Sequence, residues 1–217
     1  MISKRTKAIF QTGSLYHIYN RGVEKRKIFM DDSFYRKFLN NLWDFNDARP
    51  SPDNRIHRDR NSVDRQKLVE IYGYVLMPNH YHLVIRQLVD GGIERYMRKV
   101  GIGYAMYFNT RENRVGPLFQ GRFRVRTIED DTQLLQLFRY IYLNPLKVYQ
   151  PNYQEIDLSN VKEARDYIYN YPWSSCRNFI DQRHDPLIDD FTEFVTLDPK
   201  GRRDFVLSGV SPGPQSS

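Results

Sequence analysis

The residues best suited to chemistry are His80 and His82, which flank Tyr81 in the stretch Met77-Pro78-Asn79-His80-Tyr81-His82-Leu83-Val84-Ile85. From His80 onward this reads as a strand, and residues two apart on a strand point to one face. Both imidazoles therefore project together, as two ligands of one metal must, while Tyr81 points into the opposite face. Imidazole suits zinc, manganese, iron or nickel, and magnesium is accommodated where the other ligands are oxygens. A His-x-His pair has little force alone, but two of the chain's five histidines stand here, on an otherwise buried-looking strand.

A second group lies in Arg139-Tyr140-Ile141-Tyr142-Leu143-Asn144-Pro145. Tyr140 and Asn144 are four apart on a predicted helix and so share a face. That spacing suits a nucleophilic hydroxyl and an amide ligand beside one metal. A tyrosine that attacks a phosphodiester becomes a phosphotyrosine ester, which divides the reaction in two and conserves the bond for rejoining without ATP. The phenol, with its ordinary pKa near ~10, needs help to react. A metal polarising the phosphate and nearby arginines would supply part of it. Tyr142 is a rival by proximity, although it faces away from Asn144, and Tyr104 and Tyr107 are rivals on an earlier helix. A third group is basic: Arg111, Arg114, Arg122, Arg124 and Arg126 surround Gly116-Pro117-Leu118-Phe119-Gln120-Gly121-Arg122-Phe123. The alternating arginines either line a strip for a nucleic-acid backbone or form an ordinary solvent face.

Certain elements must position these groups. Residues 15–19 are aromatic and β-branched and read as a strand, closed by the turn Asn20-Arg21-Gly22. Phe34, Phe38, Leu39, Leu42 and Phe45 recur at helical spacing over 31–46, with Asp31, Asp32 or Ser33 as cap. Residues 47–66 mix charges of both signs with two prolines and read as a solvated loop. Strands over 69–76 and 80–86 are joined tightly through Met77-Pro78-Asn79. A helix follows over 93–109, then a strand over 118–127 with a period of two, then a helix from Asp130-Asp131-Thr132 to about Leu143 that Pro145 stops. This order predicts an α+β fold with one antiparallel sheet. We divide the chain into a basic arm at 1–13, a catalytic domain at 14–146, a C-terminal helical extension at 147–209 with a helix near 160–170, and a disordered tail at 210–217.

Composition narrows the class. Hydrophobic residues make up 40% of the 217-residue chain and charged residues 27%, enough apolar material for one core and against wholesale disorder. No apolar run approaches the length of a membrane helix, which predicts no membrane partner. A single cysteine, Cys176, excludes an internal disulfide and suits the cytoplasm. The formal net charge of +7 favours a polyanionic partner, because each neutralised phosphate releases counterions. Sixteen tyrosines and thirteen phenylalanines include candidates for stacking on unpaired bases, although most are expected in strands and core.

Together these segments resemble the single-tyrosine HUH transposases and, within them, the REP-associated tyrosine transposases. The matching stretches are Tyr16-His17-Ile18-Tyr19-Asn20-Arg21-Gly22, Met77 to Ile85, Gly116 to Arg124, Tyr140 to Pro145 and Tyr171-Pro172-Trp173-Ser174-Ser175. They follow the family's order over roughly residues 14–180. The resemblance implies a ferredoxin-like antiparallel sheet with helices on one side and a C-terminal extension. It implies Tyr140 as nucleophile and a divalent metal, Mg2+ or Mn2+, on His80, His82 and Asn144. Insertion-sequence relatives commonly carry glutamine at the third ligand position, so Asn144 departs from that pattern. It further implies a 5′-phosphotyrosine intermediate and single-stranded hairpin DNA as substrate, with Arg21, Arg114, Arg122, Arg124 and Arg126 as DNA contacts in a monomer or homodimer. Two other readings remain open at this point: a non-catalytic DNA-binding protein derived from a transposase, and a hydrolase in which the histidine pair activates water.

Overall fold

The computed structural model describes residues 10–49, 65–149 and 161–210. Four strands, β1 (Leu15–Arg21), β2 (Val69–Met77), β3 (His80–Gln87) and β4 (Arg124–Ile128), make one antiparallel sheet in the order β2-β3-β1-β4. Helix α1 (Asp32–Asp44) links β1 to β2, and helix α2 (Gly92–Arg111) links β3 to β4. Each βαβ unit thus skips over a strand of the other, which is the ferredoxin-like arrangement. No helix among the described residues is long and apolar enough to cross a membrane.

Strand alternation divides the core in two. Tyr16, Ile18, Tyr81, Leu83 and Ile85 face α1 and α2 in one apolar cluster. Leu15, Tyr72, Val75, Val84 and Ile128 face the other way, under helix α3 (Asp131–Leu143). The expectation of helices on one side is therefore corrected: both faces are covered, because the second face is also apolar over half its length and must be buried. Its cover is completed by α5 (Val161–Asn170), α6 (Cys176–Asp181) and α7 (Pro199–Leu207) through Ile168, Phe179 and Val206.

The helices start where their caps predict. Asp31 accepts a bond from the Ser33 backbone N–H at 2.7 Å, and Asp130 accepts from Gln133 N–H at 2.8 Å. In α1, Phe34, Phe38 and Leu42 are 1%, 0% and 0% exposed, so one stripe is sealed against the sheet. Burying each such side chain stabilises the fold by roughly 1.5–3 kcal/mol. The segment Tyr171-Pro172-Trp173-Ser174-Ser175 closes the outer edge of β2. Leu76 N–H donates to Trp173 O at 2.8 Å, and Ser175 N–H donates to Tyr74 O at 3.0 Å.

One predicted strand is shorter than its alternation suggests. Regular pairing begins at Arg124 rather than at 118, and Phe119 makes only an isolated bridge to Gly22. Gly121 adopts φ +141°, a backbone state open to glycine that breaks the ladder between them. The expected basic arm falls outside the described residues over 1–9, the loop at 47–66 over 50–64, and the tail over 211–217.

Candidate active site

Sheet register assembles the site. β1 sets Arg21 opposite His80, Tyr19 opposite His82 and His17 opposite Val84. On its other edge β1 sets Tyr19 opposite Arg124 and His17 opposite Arg126. Opposed residues share a face. His80, His82, His17, Tyr19, Arg21, Arg124 and Arg126 therefore occupy one end of the face that α3 covers. Tyr81 lies on the reverse, 2% exposed, its ring 4.8 Å from that of Phe38.

Helix α3 brings the phenol to this patch. Leu134, Phe138 and Ile141 are fully buried and anchor the helix on the apolar half of the face. Tyr140 then falls at the helix margin, 49% exposed. Its ring stands nearly perpendicular to His82, with centroids 5.6 Å apart, and 6.4 Å from the His17 ring. Tyr142, two residues on, is fully buried, and its hydroxyl shares a hydrogen bond with Ser175 Oγ at 3.1 Å. Burial holds its pKa well above the usual phenol range. Tyr104 is fully buried against the opposite face, where Tyr107 also packs.

Helix α3 ends at Leu143, and after Asn144 and Pro145 a short helical turn, α4 (Leu146–Tyr149), follows. Asn144 is 1% exposed at this corner. Its Nδ2 donates to Tyr140 O at 2.9 Å, and its Oδ1 accepts from Lys147 Nζ at 3.1 Å. The same ammonium lies 5.5 Å from the Tyr140 ring centroid. Burial, and then the charge of Arg21, lower the Lys147 pKa.

The imidazoles are neutral at pH 7. Burial, followed by the charges of Arg21 and Lys147, holds His80 at about 4 against an opposing hydrogen bond with Asn144. Burial and then Arg126 hold His17 at about 4. Burial, then His17, His80 and Lys147, push His82 well below the usual histidine range. Neutral rings are what a metal requires. His80 Nδ1 lies 2.6 Å from Asn79 Oδ1, an acceptor, so its proton is held there and Nε2 carries the lone pair. His82 Nδ1 lies 2.8 Å from His17 Nε2. His82 Nε2 is buried and has no hydrogen-bond partner among the described residues. Such an orphaned nitrogen fits a divalent metal. No cluster of three or more His, Cys, Asp or Glu able to hold a metal occurs among the described residues, so a third donor from among them would be a neutral oxygen, such as the Asn144 amide. Asn144 Oδ1 has two lone pairs, of which Lys147 uses one.

Residues 52–144 match the family model described as "Transposase IS200 like". The match covers less than half of the chain, and over that stretch the chain is similar to a family of transposases. The fold is also similar to a solved structure described as "Structure of the REP associates tyrosine transposase bound to a REP hairpin". The TM-score is 0.53 and the identity 17%, covering 87% of this chain and 95% of that one. At that identity the likeness is one of fold. No curated protein matches the chain.

The matched stretch contains His80, His82 and Tyr140 and ends on Asn144. The structure gathers these four with Arg21, Arg124 and Arg126. Arg122 is exposed in the bends before β4. Arg114 is not brought to the patch: its guanidinium donates to Asn109 Oδ1 at 2.9 Å and packs over Phe108 at the end of α2. Arg111 likewise pairs with Asp31 and lies over Phe34 on the opposite face. Three neighbours were missed from sequence: His17, Tyr19 and Lys147. His17 and Tyr19 share the parity of Arg21 on their strand, a usable signal once that arginine is placed. Lys147 stands three residues after Asn144 and seven after Tyr140, a one-face helical spacing that the expected stop at Pro145 hides.

Proposed function

We propose that this protein binds single-stranded hairpin DNA and cleaves and rejoins it through a 5′-phosphotyrosine intermediate on Tyr140. Its divalent metal, Mg2+ or Mn2+, would be held by His80 and His82 with Asn144 as third ligand. The carrying observation is that the half-exposed Tyr140 stands over His82, whose buried Nε2 has no partner among the described residues. The structurally similar transposase described as bound to a REP hairpin supports hairpin DNA as the substrate.

On this reading Arg21, Arg124 and Arg126 take the DNA backbone at the polar end of the sheet. Tyr140 Oη forms a bond to phosphorus and gives up its proton to solvent. The bond from phosphorus to the 3′ oxygen breaks, and that oxygen takes up a proton as the free 3′-hydroxyl. The reverse attack by a 3′-hydroxyl restores the phosphodiester and the phenol. Bound metal supplies polarisation of the scissile phosphate. Lys147 and Arg21 add fixed positive charge beside the phenol, where negative charge develops.

The test is a covalent protein–DNA adduct, resistant to denaturant, formed on hairpin DNA with Mn2+. Tyr140→Phe should abolish it and Tyr142→Phe should retain it. An adduct with Tyr140→Phe would end the assignment of the nucleophile. The engagement of Asn144 Oδ1 by Lys147 favours a second reading, a DNA-binding protein that does not cut. Tight hairpin binding with no adduct under Mg2+ or Mn2+ would support it.

A further inference from the structure

We propose that His17 is a positioning residue that holds the proton of His82 on Nδ1 and thereby presents His82 Nε2 as a bare lone pair. This rests on reading His80 and His82 as metal ligands. A neutral imidazole has one proton for its two nitrogens, and which nitrogen carries it is set by the partner of the other. The contact between His17 Nε2 and His82 Nδ1, at 2.8 Å, requires one ring to donate and the other to accept. If His17 donates, the His82 proton moves to Nε2, a buried atom without an acceptor among the described residues. A buried donor or acceptor left unmatched costs about 1–3 kcal/mol, but a protonated Nε2 can never be satisfied by a cation, whereas a lone pair there can. If His82 donates, its Nε2 faces the site as an acceptor ready for a cation. His17 then carries its own proton on Nδ1.

His80 supplies an internal comparison. Its Nδ1 is tied at 2.6 Å to Asn79 Oδ1, which can only accept. The two rings are thus held alike, one by the turn that precedes β3 and the other by the neighbouring strand β1. Ligating histidines are commonly oriented through their second nitrogen in this way. Histidine suits position 17 because of register. His17 is opposite Val84, so it reaches His82 along the diagonal, which demands a longer side chain than asparagine. The His17 ring is 7% exposed and stacked on Tyr19 at 4.8 Å and on His82 at 5.0 Å, so its plane is fixed before any ligand arrives.

Long-range 1H–15N correlation spectra of the full-length, metal-free protein read the tautomer directly, and titration with Mn2+ alone reads its consequence. The wild type should have His82 protonated at Nδ1. His17→Phe keeps a flat ring but removes the acceptor. It should shift the His82 proton toward Nε2 and weaken Mn2+ binding by about 10–100-fold. His17→Gln restores an acceptor near the lost nitrogen and should recover both the tautomer and near wild-type Mn2+ affinity. Wild-type His82 protonated at Nε2 with Mn2+ binding intact would overturn the role of His17 alone. Absence of Mn2+ binding by the wild type would overturn the metal site and the part of His17 in it. Should His17→Phe fail to fold, the glutamine variant decides: retained tautomer and affinity support the role, and loss of both ends it.

Discussion

The two faces of the sheet are built from the same strands and differ in what they leave open. On the α1 and α2 side, Tyr16, Ile18, Tyr81, Leu83 and Ile85 are all sealed. On the α3 side the apolar cover ends part-way: Leu15, Val84 and Ile128 are buried, whereas Arg21, Arg124 and Arg126 remain exposed and Tyr140 sits at the margin. The sharpest contrast is within three residues, where Tyr81 belongs to the core and its neighbours His80 and His82 belong to the site. Alternation thus separates stability from chemistry, so each should respond to its own substitutions.

The largest effect on the closed face is expected at Phe38, which is fully buried with Phe29, Tyr81 and Tyr104 around it. Phe38→Ala should lower unfolding free energy by about 3–5 kcal/mol in a urea titration. At a temperature where the variant stays folded, adduct formation with hairpin DNA should persist. Tyr140→Phe, at a half-exposed position, should change stability by only about 0.5 kcal/mol. A Phe38 variant that is fully stable yet inactive would break the division between the faces.

A smaller effect belongs to the open face and depends on pH. His17 titrates at about 4 in the folded protein against an unperturbed histidine value near ~6.5 in the unfolded chain. Between those values the unfolded chain binds more protons, so stability is full above pH ~6.5 and is lost as pH falls toward 4. His17 alone contributes about 3 kcal/mol to this loss, and His80 acts in the same direction because its pKa is also about 4. Denaturant titrations of metal-free wild type and His17→Phe across this range should show a shallower acid slope in the variant. Equal slopes would mean that His17 is not buried as a neutral ring.

Much of this organisation was legible in the residues. Period-two alternation placed His80 and His82 together and Tyr81 opposite, and helical spacing placed Tyr140 and Asn144 on one side of α3. Register was not legible, since nothing local to His17 specifies Val84 as its partner or His82 as its diagonal neighbour. Alternation continues through Gly121 and so suggests a longer β4 than forms, because the glycine backbone breaks the pairing. Arg114 is close to the strip in sequence, but the end of α2 carries it to Asn109 instead. Local pattern reports which side of an element a residue takes, while long-range pairing decides what it meets there.

The smallest expected effect tests whether the exposed cations of the open face act as a nucleic-acid surface. Arg124 and Arg126 stand on the same side as His17 and Tyr19 and are exposed. If each neutralises one phosphate, Arg124→Ala and Arg126→Ala should each reduce the slope of log affinity against log salt by about one in hairpin binding. Arg114→Ala should leave the slope unchanged, because that guanidinium is already committed to Asn109 and packed on Phe108. Fluorescence anisotropy across a salt series separates these cases even where single-salt affinities differ little. A slope that falls equally for all three arginines would mean that the DNA surface wraps past the end of α2, and the division between an open and a closed face would then hold for the chemistry but not for binding.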